Sequence, residues 1–156
     1  MDRDAVYNRV VWILNNHEVE EALLKDQIQR EDLALTEDLD RIYGAVGLKG
    51  INYNDTKVMS SIKIDSRIAS AIAQAEDRKH KALEKTADLR IALESIESVY
   101  MLVCGLDGME RAVLLALYYP RHSYGDAAKM LGYSVRAISR YRSLAIHHVV
   151  DSVINP

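Results

Sequence analysis

At 156 residues, 49% hydrophobic and 28% charged, the chain has room for one ordinary domain, or for one small domain and an elongated helical arm. The absence of Phe, the single Trp and the two Pro argue against a large β-sandwich, while abundant Leu, Ile, Ala, Glu, Lys and Arg favour helix. A net charge of −3 excludes a uniformly basic nucleic-acid binder, yet it averages two unlike parts: residues 1–108 carry −6 and residues 109–156 carry +3.

From about Asp2 to Val46, the residues Val6, Val10, Ile13, His17, Leu24, Ile28, Leu35, Leu39 and Ile42 recur at three- and four-residue steps or their sums, which is a helical stripe. Asn15-Asn16 and Thr36-Glu37-Asp38 are the expected interruptions, because short polar side chains compete for backbone hydrogen bonds; one kinked helix or two helices are predicted. The chain begins MDRD, which is no signal peptide, and no apolar stretch approaches the roughly 18 residues that a membrane span needs. A cytoplasmic protein with no membrane partner is expected.

Gly44, Gly47 and Gly50, followed by Asn52, Asn54 and Asp55, predict a loop near 44–64. Their spacing is not the dinucleotide fingerprint, since no apolar strand precedes it and no helix opens at its last Gly. Asp65 then reads as the N-cap of a long helix reaching about Val103. Along it, Ile68, Ile72, Ala75, Lys79, Ala82, Thr86, Leu89, Leu93, Ile96, Tyr100 and Val103 alternate steps of four and three, the pattern of a coiled-coil seam. Its strong members are Ile68, Ile72, Leu89, Leu93, Ile96 and Tyr100, and its middle, from Ala75 to Thr86, is thin. The N-terminal stripe can supply the partner as an antiparallel hairpin, or a second subunit can. A helix of about 38 residues would reach roughly 57 Å, too long for a lone compact globule of this size, so a homodimer is expected.

The stretch GLDG, Gly105 to Gly108, ends that helix and sets the expected boundary between a helical arm, 1–104, and a C-terminal domain, 105–156. Beyond it, Met109 to Tyr119 puts Val113, Leu114 and Leu117 on one helical face, and Pro120 stops the helix. Ser123 with Asp126 resembles a capping box; Ala127, Ala128 and Leu131 face inward, and Gly132 closes the short helix. Ser134 is the next N-cap, and the helix after it carries Ile138, Tyr141, Leu144 and Ala145 inward. Small Ala128, a turn Gly132 and anchors at Ile138 and Tyr141 are what two helices crossing through a short turn require: a helix-turn-helix. Facing outward on the second helix are Ser134, Val135, Arg136, Ser139, Arg140 and Ser143, with Arg142 on the flank. Arg can pair with guanine O6 and N7 or hold phosphate, Ser can serve either, and Val can meet a thymine methyl. Double-stranded DNA is the expected partner.

The run from Met109 to Val149, MERAVLLALYYPRHSYGDAAKMLGYSVRAISRYRSLAIHHV, resembles region 4 of bacterial sigma factors. The arm before it, with its polar YNDTKVMSS loop, is similar in layout to the phage and prophage late-transcription regulators of the RinA and ArpU type. The resemblance implies binding to promoter or operator DNA in a bacterial host cell, with RNA polymerase as a further partner. It implies base contacts from Ser134, Val135, Arg136, Ser139 and Arg140, and phosphate contacts from Ser123, Tyr124, Arg142 and Ser143. Ala127-Ala128 stands where sigma factors usually have an acidic-aliphatic-Ala sequence, and nothing resembles the segment that melts DNA, so a complete initiation factor is not implied.

Other chemistry is poorly supported. Cys104 sits alone in an apolar run and reads as a small buried hydrophobe. Adjacent His147 and His148 point about 100° apart on a helix and cannot share a metal, while His17 and His80 read as hairpin or surface residues. Glu18, Glu20 and Glu21 form a solvated face. No nucleophile elbow, phosphate loop or CxxC occurs, so neither an enzyme nor a cofactor is expected. Two further readings stand beside the regulator: a phage DNA-packaging protein resembling a small terminase subunit, and a helix-turn-helix used to contact a protein such as RNA polymerase.

Overall fold

The structure, a computed structural model, describes residues 1–47 and 66–156. Among these the regular elements are five α-helices and no strand: α1 (Arg3–Gly44), α2 (Ser66–Cys104), α3 (Gly108–Tyr118), α4 (Tyr124–Leu131) and α5 (Val135–Ile154). The all-α expectation holds. Gly50, Asn52, Asn54, Asp55 and the cap Asp65 lie outside the described residues, as does most of the predicted 44–64 loop.

α1 runs unbroken for 42 residues, which corrects the expected interruptions. The side-chain amides of Asn15 and Asn16 donate to Val11 and Trp12 carbonyls at 2.9 and 2.8 Å, and the Thr36 hydroxyl donates to Asp32 O at 3.0 Å. Each polar group therefore bonds one turn back within its own helix and does not end the ladder.

The chain divides into two compact units, one made of Met1–Ala22 with Leu93–Pro156 and the other of Leu23–Ala92. The first is larger than the expected 105–156 domain, because it includes the start of α1 and the end of α2.

In the Leu23–Ala92 unit, α1 and α2 pack antiparallel: Glu31 pairs with Lys85 at 2.7 Å and Asp38 with Arg78 at 2.6 Å, so position falls along one helix as it rises along the other. Large residues on α1 meet small ones on α2. Leu39 and Tyr43 bury against Ala75, with Leu35, Ile42 and Ile72 beside them. The thin middle of the seam is thus the place where a small side chain lets two helices approach closely. Buried Thr86 keeps its hydroxyl paired with Ala82 O at 2.9 Å, which removes the cost of enclosing it.

In the other unit, Val6, Val10, Ile13 and Leu14 of α1, Ile96, Val99 and Val103 of α2, and the inner faces of α3, α4 and α5 are buried. Tyr100, expected on the seam, is instead 44% exposed and Val99 takes its place. Steps of three then four from Ile96 close the same heptad as four then three, and a Val encloses fully where a phenol needs an outlet for its hydroxyl. Ile68, Leu89 and Leu93 are half-buried in the single chain.

Candidate nucleic-acid interface

The last four carbonyls of a helix have no partner inside it. In α3 all four are paired. Leu115 O accepts from Tyr119 N–H at 3.0 Å, Leu117 O from His122 N–H at 3.0 Å, Ala116 O from the His122 ring at 2.9 Å, and Tyr118 O from His17 Nε2 at 2.6 Å. Because a carbonyl only accepts, Nε2 of His17 carries the proton. His17, expected on the arm's hairpin or surface, is therefore a buried cap reaching from α1, and its ring stacks on Tyr119 at 4.2 Å. Further links tie the same helix to this unit: Arg3 pairs with Asp151 at 2.8 Å, and the Tyr7 and His147 rings lie 5.3 Å apart.

α4 begins where the sequence marks it. Ser123 Oγ accepts from Asp126 N–H at 3.1 Å, the forward half of the capping box. It ends on Gly132 at φ 71°, a left-handed conformation that side chains resist, and Tyr133 N–H closes the turn onto Ala128 O at 3.0 Å. Ser134 then caps α5 by accepting from Ala137 N–H at 3.1 Å. Ala127, Ala128 and Ile138 are enclosed at the crossing, as the spacing predicts. One inward assignment changes: Leu144 is exposed and Ile146 is fully buried, because the buried face of α5 turns along Ile138, Ala145, Ile146 and Val149.

Ser134, Val135, Arg136, Ser139, Arg140 and Ser143 all lie on the exposed surface of α5, and Ser123 and Tyr124 are exposed at the start of α4. Arg136 and Arg140 line one shallow concavity of 360 Å³ with Tyr133, Ser134, Ala137 and Tyr141. The Tyr133 and Tyr141 rings meet edge to face at 6.2 Å. Sequence reasoning passed over Tyr133; the available signal was an aromatic residue directly after the left-handed Gly, where the turn leaves it 41% exposed. Arg142 is placed differently from its flanking neighbours. It is half-buried, its Nε donates to the Tyr118 hydroxyl at 2.6 Å, and its guanidinium lies 5.9 Å from that ring's centre.

Many of the chain's other arginines are engaged internally: Arg3 with Asp151, Arg30 with Asp26, Arg41 and Arg78 with Asp38, Arg90 with Asp32. Arg136 and Arg140 have no acidic partner among the described residues. Two unpaired guanidinium groups one turn apart give this face a local positive field, and no acidic side chain lines the concavity between them. Among the described residues, no helix is long and apolar enough to cross a membrane, and no three His, Cys, Asp or Glu side chains gather as a metal site. No protein-family model, curated protein or solved structure matches the chain.

Proposed function

We propose that the chain is a sequence-specific DNA-binding transcriptional regulator, phage or prophage encoded, that lays α5 in the major groove of promoter or operator DNA. The observation that carries this reading is the pair Arg136 and Arg140, exposed and without acidic partners among the described residues, on a helix whose start is fixed by the Gly132 turn and the Ser134 cap. A positively charged face of small residues, Val135, Ser139 and Ser143 around the two arginines, can approach base edges closely. In this reading Arg136 and Arg140 take guanine edges, Val135 a thymine methyl, and Ser134 and Ser139 further base atoms. Ser123, Tyr124 and Ser143 hold phosphates on either side.

The regulator acts as a homodimer on paired half-sites, with RNA polymerase as a second partner. The seam foreseen for the dimer is partly used inside the chain, where Ala75, Ala82 and Thr86 are buried by a single copy. Selection of bound duplexes from random or phage-genome DNA tests the reading. Replacing Arg136 and Arg140 together by Ala should weaken binding to the selected site by at least about 30-fold, at the rate of 1–3 kcal/mol per bidentate contact, with helicity retained. Unchanged affinity would sink it. A chain that enriches no duplex yet binds RNA polymerase would replace it with the protein-interaction reading.

A further inference from the structure

Tyr118 is bonded at both of its ends. Its carbonyl accepts from His17 of α1 at 2.6 Å, and its phenol accepts from Arg142 of α5 at 2.6 Å. The residue itself is 6% exposed, so neither bond is a loose surface contact. Successive helical residues are about 100° apart, which puts Arg142 about 160° around the helix from Arg140 and about 120° from Arg136. Drawing Arg142 inward onto Tyr118 therefore turns Arg136 and Arg140 outward, and it fixes the rotation of α5 about its own axis. The guanidinium of Arg142 is half-buried beside the Tyr118 ring with its Nε–H committed to the phenol, whereas Arg136 and Arg140 are exposed and have no acidic partner among the described residues.

We propose that Arg142 is a positioning residue, which sets the angle at which α5 is presented by holding it to the His17-capped end of α3 through Tyr118, and is not a phosphate ligand. This rests on the DNA-binding reading above. The first turns of α1 are then part of the reading device, since the anchor that Arg142 grips is itself fixed by His17.

The test uses the full chain and a duplex selected by it, with a scrambled duplex beside it, titrated across about 50 to 200 mM salt, the range in which phosphate contacts reveal themselves. Arg142→Met and Tyr118→Phe are compared singly and together, with circular dichroism and thermal melting to show that each is folded. Each single variant should lower the ratio of selected to scrambled binding about tenfold, as loss of a partly buried charge-assisted bond would. The double variant should lose no more than either alone, and the slope of log affinity against log salt should stay that of the wild type. A slope reduced by about 0.9 in Arg142→Met, with Tyr118→Phe behaving as wild type, would mean a phosphate contact and overturns the proposal alone. Equal losses on both duplexes would mean general destabilisation and overturn it too. A wild-type chain that enriches no duplex overturns the DNA-binding reading and this role with it.

Discussion

His148 Nδ1 lies 2.6 Å from Glu110 Oε2, joining α5 to α3 at the surface. The hydrogen bond to Glu110, then its charge, holds the imidazole's pKa above the ordinary histidine value. A raised folded-state pKa means that the pair stabilises fully below the unfolded value near 6.5 and that this contribution fades as pH rises through the folded value. Glu110→Gln should therefore cost more at pH 6 than at pH 8. The His148 side chain is 57% exposed, so the difference should not exceed about 0.5 kcal/mol, read from urea midpoints at the two pH values. A variant equally affected at both would show that the imidazole does not titrate against Glu110. Asp38 is the acid counterpart. Its hydrogen bond from Arg78, assisted by Arg41, lowers its pKa, so that contribution is present above the ordinary carboxylate value and disappears as pH falls through the lowered one.

At the scale of elements, α1 and α2 are helices for different reasons at different points. Ion pairs on their surfaces, such as Lys81 with Asp77 and Arg30 with Asp26, contribute only tenths of a kcal/mol each. Burial of α1's large side chains against α2's small ones decides where the two meet. Ala75, fully enclosed beside Leu39 and Tyr43, is the sharpest case. Ala75→Leu should destabilise the chain by about 1–3 kcal/mol, since three extra carbons must displace neighbours in a closed contact, although Leu is a good helix former. Thermal denaturation reads this directly. A neutral or stabilising result would mean that the two helices can part without loss.

At the scale of the whole molecule, α4 and α5 do not stand by themselves. The unit that contains it includes Met1–Ala22 and the end of α2, and α1 supplies the His17 cap, the Arg3 to Asp151 pair and four buried aliphatic side chains. Ile13, 2% exposed, should cost about 2–5 kcal/mol when cut to Ala. The loss should appear as lowered hydrogen-exchange protection of the amides of Ile146 and Val149 in α5, far along the sequence. If residues 105–156 were autonomous, protection there would be unchanged in the full chain carrying Ile13→Ala.

Much of the motif was legible because it is local. Ser123, Gly132 and Ser134 act on backbone groups three or four residues away, and so the caps, the turn and the outward row of Val135, Arg136, Ser139 and Arg140 follow from spacing. Helical periodicity likewise gave the all-α class, and the caps and breakers placed the limits of α3 and α4 to within about a residue. What spacing could not supply was the choice among near-equivalent solutions. Val99 and Tyr100 both complete the heptad, Leu144 and Ile146 both border the inner face, and only the shape of the neighbouring elements selects between them. Nor could it foresee that His17 would cap a helix 101 residues away, or that Arg142 would turn inward while Arg140 stays exposed. Such pairings join groups distant in sequence, and their energy comes from a shared buried environment that exists only once the helices have packed.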